Sequence, residues 1–398
     1  MKIVVCDDEY APRQDWVEAI GNVVGAENVS QLNDDKAQLK SLLNRRHSFR
    51  ETGETDWAPS QVDEADVLIV DYDLTLIDKD ARHTGEEVAR LARMYSDCGY
   101  IIVMNQYPGI GFDLTMKGHL ESYADVNIDS SLAGCPALWS TAVSGEFHPW
   151  HWDCIEKITE SRRALAEELT KRGMGTSIVD FLQMPNAAID RLADSAFAFI
   201  SPATQKPDEL AQTTVAEFLQ HLTEKKDLEK LADGKPANAA RTAVSRLAKW
   251  VSRTIVGPQD VLIDVPHLLV RLPYVANKEH GVPSTIEDWN ALLDLGAGAI
   301  CPEIREKGEF RRSVEWIGKA TFWWSCIEGL DLVDTLREEF DYESLPDMVF
   351  CEDVSRFVPR EDATDFRAGF HNFFDRRYVK IVEGVEYAPR RRLAFAEA

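Results

Sequence analysis

The sequence predicts an α/β unit over residues 1–147, a five-stranded parallel sheet doubly wound by helices, followed by a mainly α-helical domain over 148–398. Three observations carry this. Short apolar runs alternate with helical patterns through the first part of the chain, the order from which parallel sheets are built. Two of those runs end in carboxylates, IVVC on Asp7 and Asp8 and VLIV on Asp71. Beyond Pro149, apolar residues recur mostly at the three-and-four spacing of helices.

Taken in order, KIVVC (2–6) is a strand, APRQDWVEAIGNVV the helix behind it and ENVSQL a second strand. DDKAQLKSLLNRR is helical, and SFRETGETDWAPSQ is polar and loop-like. DVLIV, four apolar residues after one acid, fits a strand buried on both faces. TGEEVARLARMYSDCG is the next helix, YIIVMN the fourth strand and ADVNI a short fifth, after a loop at YPGIG. The boundary falls in SGEFHPWHWDC, where Asp153 and Glu156 have the spacing of a capping box and Gly173 stops the helix they open. Further on, Val314, Ile317, Thr321, Trp324 and Ile327 share one helical face, and KPANAARTAVSRLAKWVSR has similar periodicity. DVLIDVPHLLVRLP (260–273) fits either an extended segment or a buried helix.

Composition excludes several classes. An apolar content of 44% suits a globular chain. No run reaches the ~18 apolar residues of a membrane span, and MKIVVCDDEY lacks the apolar core of a signal peptide. Seven scattered cysteines do not form a disulfide framework, which places the protein in a reducing cytoplasm. Lys plus Arg number 44 against 68 Asp plus Glu, a net charge of −24 that repels nucleic acid and anionic membranes. The one basic cluster, Arg376, Arg377, Lys380 and Arg390–Arg392, is interleaved with acids and reads as surface.

Strands ending in Asp7, Asp8 and Asp71, side by side in a parallel sheet, gather three carboxylates at one edge, where ligands of such sheets bind. Carboxylates that close repel, and a cation is the remedy; oxygen-only ligands select a hard ion such as Mg²⁺. A carboxylate can also act as a nucleophile and form an acyl phosphate.

This arrangement resembles the receiver domain of two-component response regulators over roughly residues 1–135. The resemblance implies a flavodoxin-like fold, Mg²⁺ on Asp7, Asp8 and Asp71, and phosphoryl transfer to Asp71 from a histidine kinase. TGEEVARLAR looks like the family's G-x-E-L helix, here Gly85, Glu87 and Val88, and ADVNI sits where the family has A-D-x-Y-L. Two positions depart: Asn105 stands where the family has Thr or Ser, and Ser130 where it has Lys. Those departures put the usual phosphoryl-gripping switch in question. DYDLTL also resembles the first motif of haloacid-dehalogenase phosphatases, with Asp71 as nucleophile, Asp73 as acid/base and Lys117, Asp125 and Asp129 in later roles.

Other clusters carry weaker expectations. Cys135, His148, His151 and Cys154 have ligating side chains in a spacing that matches no zinc motif, and Trp150 and Trp152 between them point to aromatic packing. Asp260, Asp264 and His267, and Cys351, Glu352 and Asp353, read as structural or solvated. The sequence thus suggests a receiver fused to a protein-interaction domain, with a histidine kinase and other signalling proteins as partners. It would relay or sequester phosphate, as accessory regulators of stress or antiphage two-component systems do. The alternatives are a phosphatase, or a pseudo-receiver that only binds.

Overall fold

A computed structural model describes residues 1–77, 83–105, 120, 122–140, 147–201, 207–222, 224–366 and 377–382. The α/β unit forms as its periodicity predicts. Strand β1 is Ile3–Cys6, helix α1 Tyr10–Val24, β2 Val29–Gln31, α2 Asp35–Thr52, β3 Val67–Asp71, α3 Gly85–Tyr95, β4 Tyr100–Asn105 and β5 Val126–Asp129. The five strands make one parallel sheet in the order β2-β1-β3-β4-β5. Its three central strands are buried along their whole length, which explains why they read as unbroken apolar runs.

Alternation along the strands serves two cores. Ile3, Val5, Ile69 and Ile102 point to the face packed by Trp16 and Ile20 of α1. Val4, Leu68, Val70 and Ile101 point to the opposite face, against Leu39, Leu42 and Phe49 of α2 and Val88 and Leu91 of α3. The α2 helix runs past the expected loop start at residue 48 and ends at Gly53, whose left-handed φ of 76° closes it.

The second apolar cluster does not stop at residue 147. It continues through Leu165 and Leu169 of α4 (Ile155–Arg172) into Val244, Leu247 and Trp250 of α5 (Pro236–Trp250). Polar contacts follow the same path. Asn238 donates to the carbonyls of Met94 and Ser96 at 2.8 and 3.0 Å, Ser245 to Asp125 at 2.6 Å, and Lys249 to the carbonyls of Ala124 at 2.6 Å and Ser122. Tyr95 donates to Asp227 at 2.5 Å. The two regions are therefore joined through a shared core.

Several sequence expectations are refined or corrected. The region after 148 is rich in helix but also holds a four-stranded sheet, built from β8 (Met348–Cys351), β9 (Arg356–Pro359), β10 (Thr364–Phe366) and β11 (Arg377–Val379) in the order β9-β8-β11-β10. A two-stranded ribbon joins β6 (Leu262–Asp264) to β7 (Thr321–Trp323). The periodic stretch from Val314 to Ile327 is thus broken: a short helix ends on Gly318 at φ 68°, and Thr321 lies in β7. Segment 260–273 is both of its alternatives in turn, β6 followed by helix α6 (Val265–Arg271). Asp153 is not a cap either: Cys154 holds the N-cap position of α4 without a side-chain bond, although Gly173 stops the helix as expected.

Tertiary packing also joins two clusters that the sequence left as separate. His267 Nδ1 meets Asp264 Oδ1 at 2.6 Å, and its Nε2 meets Glu352 Oε1 at 3.3 Å. Glu352 pairs with Arg377, and its other oxygen accepts the Trp150 indole N–H at 2.5 Å. Burial alone would push Glu352 up; the Arg377 guanidinium and His267 outweigh it and hold the carboxyl well below its ordinary range. Burial likewise would lower His267, but Asp264 holds it above its ordinary value. Asp353 accepts the backbone N–H groups of Lys380 and Ile381, both at 2.9 Å. Asp260 stays outside, about half exposed and 3.6 Å from Arg271. Glu352→Gln leaves Arg377 buried beside a neutral partner, and urea denaturation should show a loss of about 3 kcal/mol; a change below about 0.5 kcal/mol would mean the quartet adds nothing to stability.

Candidate functional site

Register places the first two acids. Cys6 of β1 lies opposite Val70 of β3, so the residues that follow, Asp7 and Asp71, emerge side by side at the carboxyl edge of the sheet. Asp7, Asp8 and Asp71 each bring a carboxylate oxygen within 4.8 Å of the others. Asp7 is fully buried and Asp71 is 2% exposed, whereas Asp8 faces partly outward. Among the described residues this is the only group of three or more ligating side chains that close.

Hydrogen bonds aim these carboxylates. Asp7 Oδ1 accepts the Glu9 N–H at 2.8 Å, Asp8 Oδ2 the Leu76 N–H at 2.5 Å and Asp71 Oδ2 the Asp73 N–H at 3.2 Å. Asp7 Oδ2 is buried and, among the described residues, has no hydrogen-bond partner. Burial, with a further push from Asp8, raises the Asp7 carboxyl to about 6. Asp8 is raised as well, by burial first and then by Asp73 and Glu9. An orphaned anionic oxygen among oxygen-only donors fits a hard divalent cation, which supplies the missing positive charge. The three residues present fit Mg²⁺.

Neighbouring elements are shaped around this edge. At Gly85, the first residue of α3, a Cβ would stand 2.3 Å from the Asp71 carbonyl oxygen, and the Gly85 N–H donates to the Tyr72 carbonyl at 2.7 Å. Only glycine admits so close an approach. Glu87 does not reach the acids: it pairs with His83 at 3.0 Å, its N–H capped by Thr84, while Val88 packs into the core. Asp73 sits exposed on a two-residue ribbon paired with Thr84, its Oδ1 accepting the Thr75 N–H at 3.2 Å.

The remaining predicted residues spread along the same edge or leave it. Asn105 is buried at the end of β4, one residue beyond Met104, the register partner of Asp71. Ser130 follows Asp129, the partner of Asn105 on β5, and opens a turn whose Ser131 N–H is capped by Asp129 at 2.8 Å. Asp125 lies at the opposite end of β5, ion-paired with Arg93 and bonded to Ser245. Lys117, Arg376 and Arg390–Arg392 lie outside the described residues. Cys135, His148, His151 and Cys154 form no such group; Cys154 bonds the Trp139 carbonyl at 3.3 Å, and Trp150 and Trp152 are buried.

Sequence reading missed one pair. Arg13 of α1 and Asp35 of α2 meet at 2.5 Å near the acids. Asp35 is raised by burial in spite of Arg13, and its charge is felt by Cys6 beside Asp7. The signal was available: α2 begins soon after β2, so its first acid sits at the carboxyl edge of the sheet.

No protein-family model, curated protein or solved structure matches the chain.

Metal binding at this site should depend on pH. A carboxyl raised from 3.8 to about 6 gives stability that is full below 3.8 and lost as pH rises through about 6, because ionised Asp7 is left uncompensated. A cation offsets that charge. The rise in melting temperature on adding Mg²⁺ should therefore grow between about pH 5 and about pH 7, and Asp7→Asn should flatten it. A Mg²⁺ effect of the same size across that range would separate Asp7 from the metal.

Proposed function

We propose that the chain is a receiver-like signalling protein in which Asp71 accepts a phosphoryl group beside Mg²⁺ held by Asp7, Asp8 and Asp71. The observation that carries this reading is the convergence of the three carboxylates at the ends of adjacent buried strands, with an orphaned oxygen on Asp7. When bound, Mg²⁺ offsets the charge that a phosphate brings to an anionic cluster.

The chain's own residues supply position. Asp71 is oriented by the Asp73 amide, and Gly85 keeps α3 close behind its carbonyl. Asp8 holds the segment after β3 through the Leu76 amide, so any change at the cluster reaches a surface loop directly. Asn105 and Ser130 stand along this edge in place of a hydroxyl and an amine, so a response to phosphorylation would run through other contacts. The phosphoryl donor would be a cytoplasmic histidine kinase, and the larger C-terminal region would carry the contacts through which the signal is relayed or phosphate sequestered.

A second reading draws on Asp73, exposed two residues beyond Asp71, where a carboxylate can deprotonate an attacking water. One assay series separates the readings. With labelled acetyl phosphate and Mg²⁺, wild type should take up label, Asp71→Asn none, and Asp73→Asn should hold it longer. A phosphatase would instead hydrolyse phosphomonoesters repeatedly and lose turnover in Asp73→Asn. Absence of both label and turnover with every donor would leave a binding module and overturn phosphoryl transfer at Asp71.

A further inference from the structure

We propose that the cavity between helices α4 and α5, at the amino edge of the parallel sheet, binds a small organic anion, a carboxylate on an apolar body, through Arg162 and Arg241. The cavity measures about 410 Å³, within the range that encloses small-molecule ligands. Thr159, Arg162 and Ala166, at three-and-four spacing, line it from α4, and Arg241, Val244 and Ser245 line it from α5. Arg93 of α3 and the turn at Asp97 and Gly99 before β4 complete its wall.

The buried acid in this wall is engaged, whereas several donors are not. Asp125 already accepts from Arg93, from the Ile101 N–H at 2.7 Å and from Ser245 at 2.6 Å. Asp97 accepts from Arg241 at 2.9 Å and lies 3.4 Å from Lys235. Among the described residues, every hydrogen bond of Arg241 runs through Nη2, which leaves Nε and Nη1 over. Arg162 donates to no described residue, and its Nη1 is buried. Thr159, 5% exposed, has a buried hydroxyl without a partner among the described residues. Arg163 is drawn off to Asp66. Glu167 and Lys171, one turn apart and both exposed, carry opposite charges and leave the balance unchanged.

A guanidinium stays ionised when buried, so an unbonded one lacks an acceptor with negative charge. Burial lowers Arg162 from its ordinary value and Arg93 adds to that push, against Tyr100, Asp153 and Asp125. Asp153 does not meet the need: it borders a separate, smaller cavity with Lys249 and Arg253, and it makes no hydrogen bond with Arg162. A carboxylate matches the planar fork of an arginine. Ala166 and Val244, both buried, offer its body an apolar wall from the two helices, which inorganic phosphate would leave unfilled. A cationic ligand would meet Arg93, Arg162 and Arg241 and find Asp97 and Asp125 already engaged. The site stands at the opposite edge of the sheet from Asp71, so it does not depend on phosphoryl transfer.

Isothermal titration calorimetry on the full-length protein at fixed ionic strength tests the proposal. The probes are phenylacetate, its neutral analogue 2-phenylethanol, its cationic analogue phenethylamine and inorganic phosphate. Phenylacetate should saturate and bind about tenfold or more tighter than each of the others. Arg162→Gln should weaken phenylacetate by a similar factor, whereas Lys171→Gln, on an exposed cation, should not. Binding of any other probe as tight as that of phenylacetate, a phenylacetate titration unchanged in Arg162→Gln, or no saturation overturns the proposal. Should Arg162→Gln fail to fold, the four-probe comparison on wild type decides alone.

Discussion

Parallel pairing of β1 with β3 is the constraint on which the rest of the α/β unit depends. Both strands are buried on two faces, so neither can shift by one residue without turning an apolar set the wrong way. That fixed register delivers Asp7 and Asp71 to one point and leaves them where water cannot solvate them. The cluster is thus a consequence of hydrophobic packing, and its electrostatic cost is concentrated on Asp7. A cation would relieve such a cost, as protonation does, so metal binding at this site would be coupled to pH.

The same packing logic joins the two regions. Helix α5 lays apolar residues on a core that begins at the sheet, and around that contact lie Asn238, Ser245, Arg246 and Lys249, all buried. Burial drives Lys249 well below its ordinary value, with Arg246 pushing the same way and Asp125 resisting. Polar groups this deep cost stability when a partner is removed. The Asp264–His267–Glu352–Arg377 quartet plays a corresponding part further along, pinning the C-terminal sheet to α6.

Against this background Asp7 stands out. Among the described residues its Oδ2 is orphaned amid other carboxylates, which suits a hard cation. Burial raises it to about 6. The surroundings, rather than the shift, assign its chemistry.

How much of this the sequence determined differs by element. The five strands, α1 and α3 were legible because both-face burial and amphipathic spacing are local patterns, and the strand-end acids were legible because they interrupt them. Gly85 was legible as a motif position, although its reason, the Asp71 carbonyl pressed against it, lies across a turn. The 313–340 stretch misled: its spacing is helical, but Gly318 and a partner strand more than fifty residues away at β6 overrode propensity. Asp153 misled in the same way, since capping spacing cannot report that Cys154 takes the cap. The quartet, the shared core across residue 147 and the cavity of Arg162 were decided by tertiary structure alone, because each is made of groups far apart in the chain whose partners are chosen by packing.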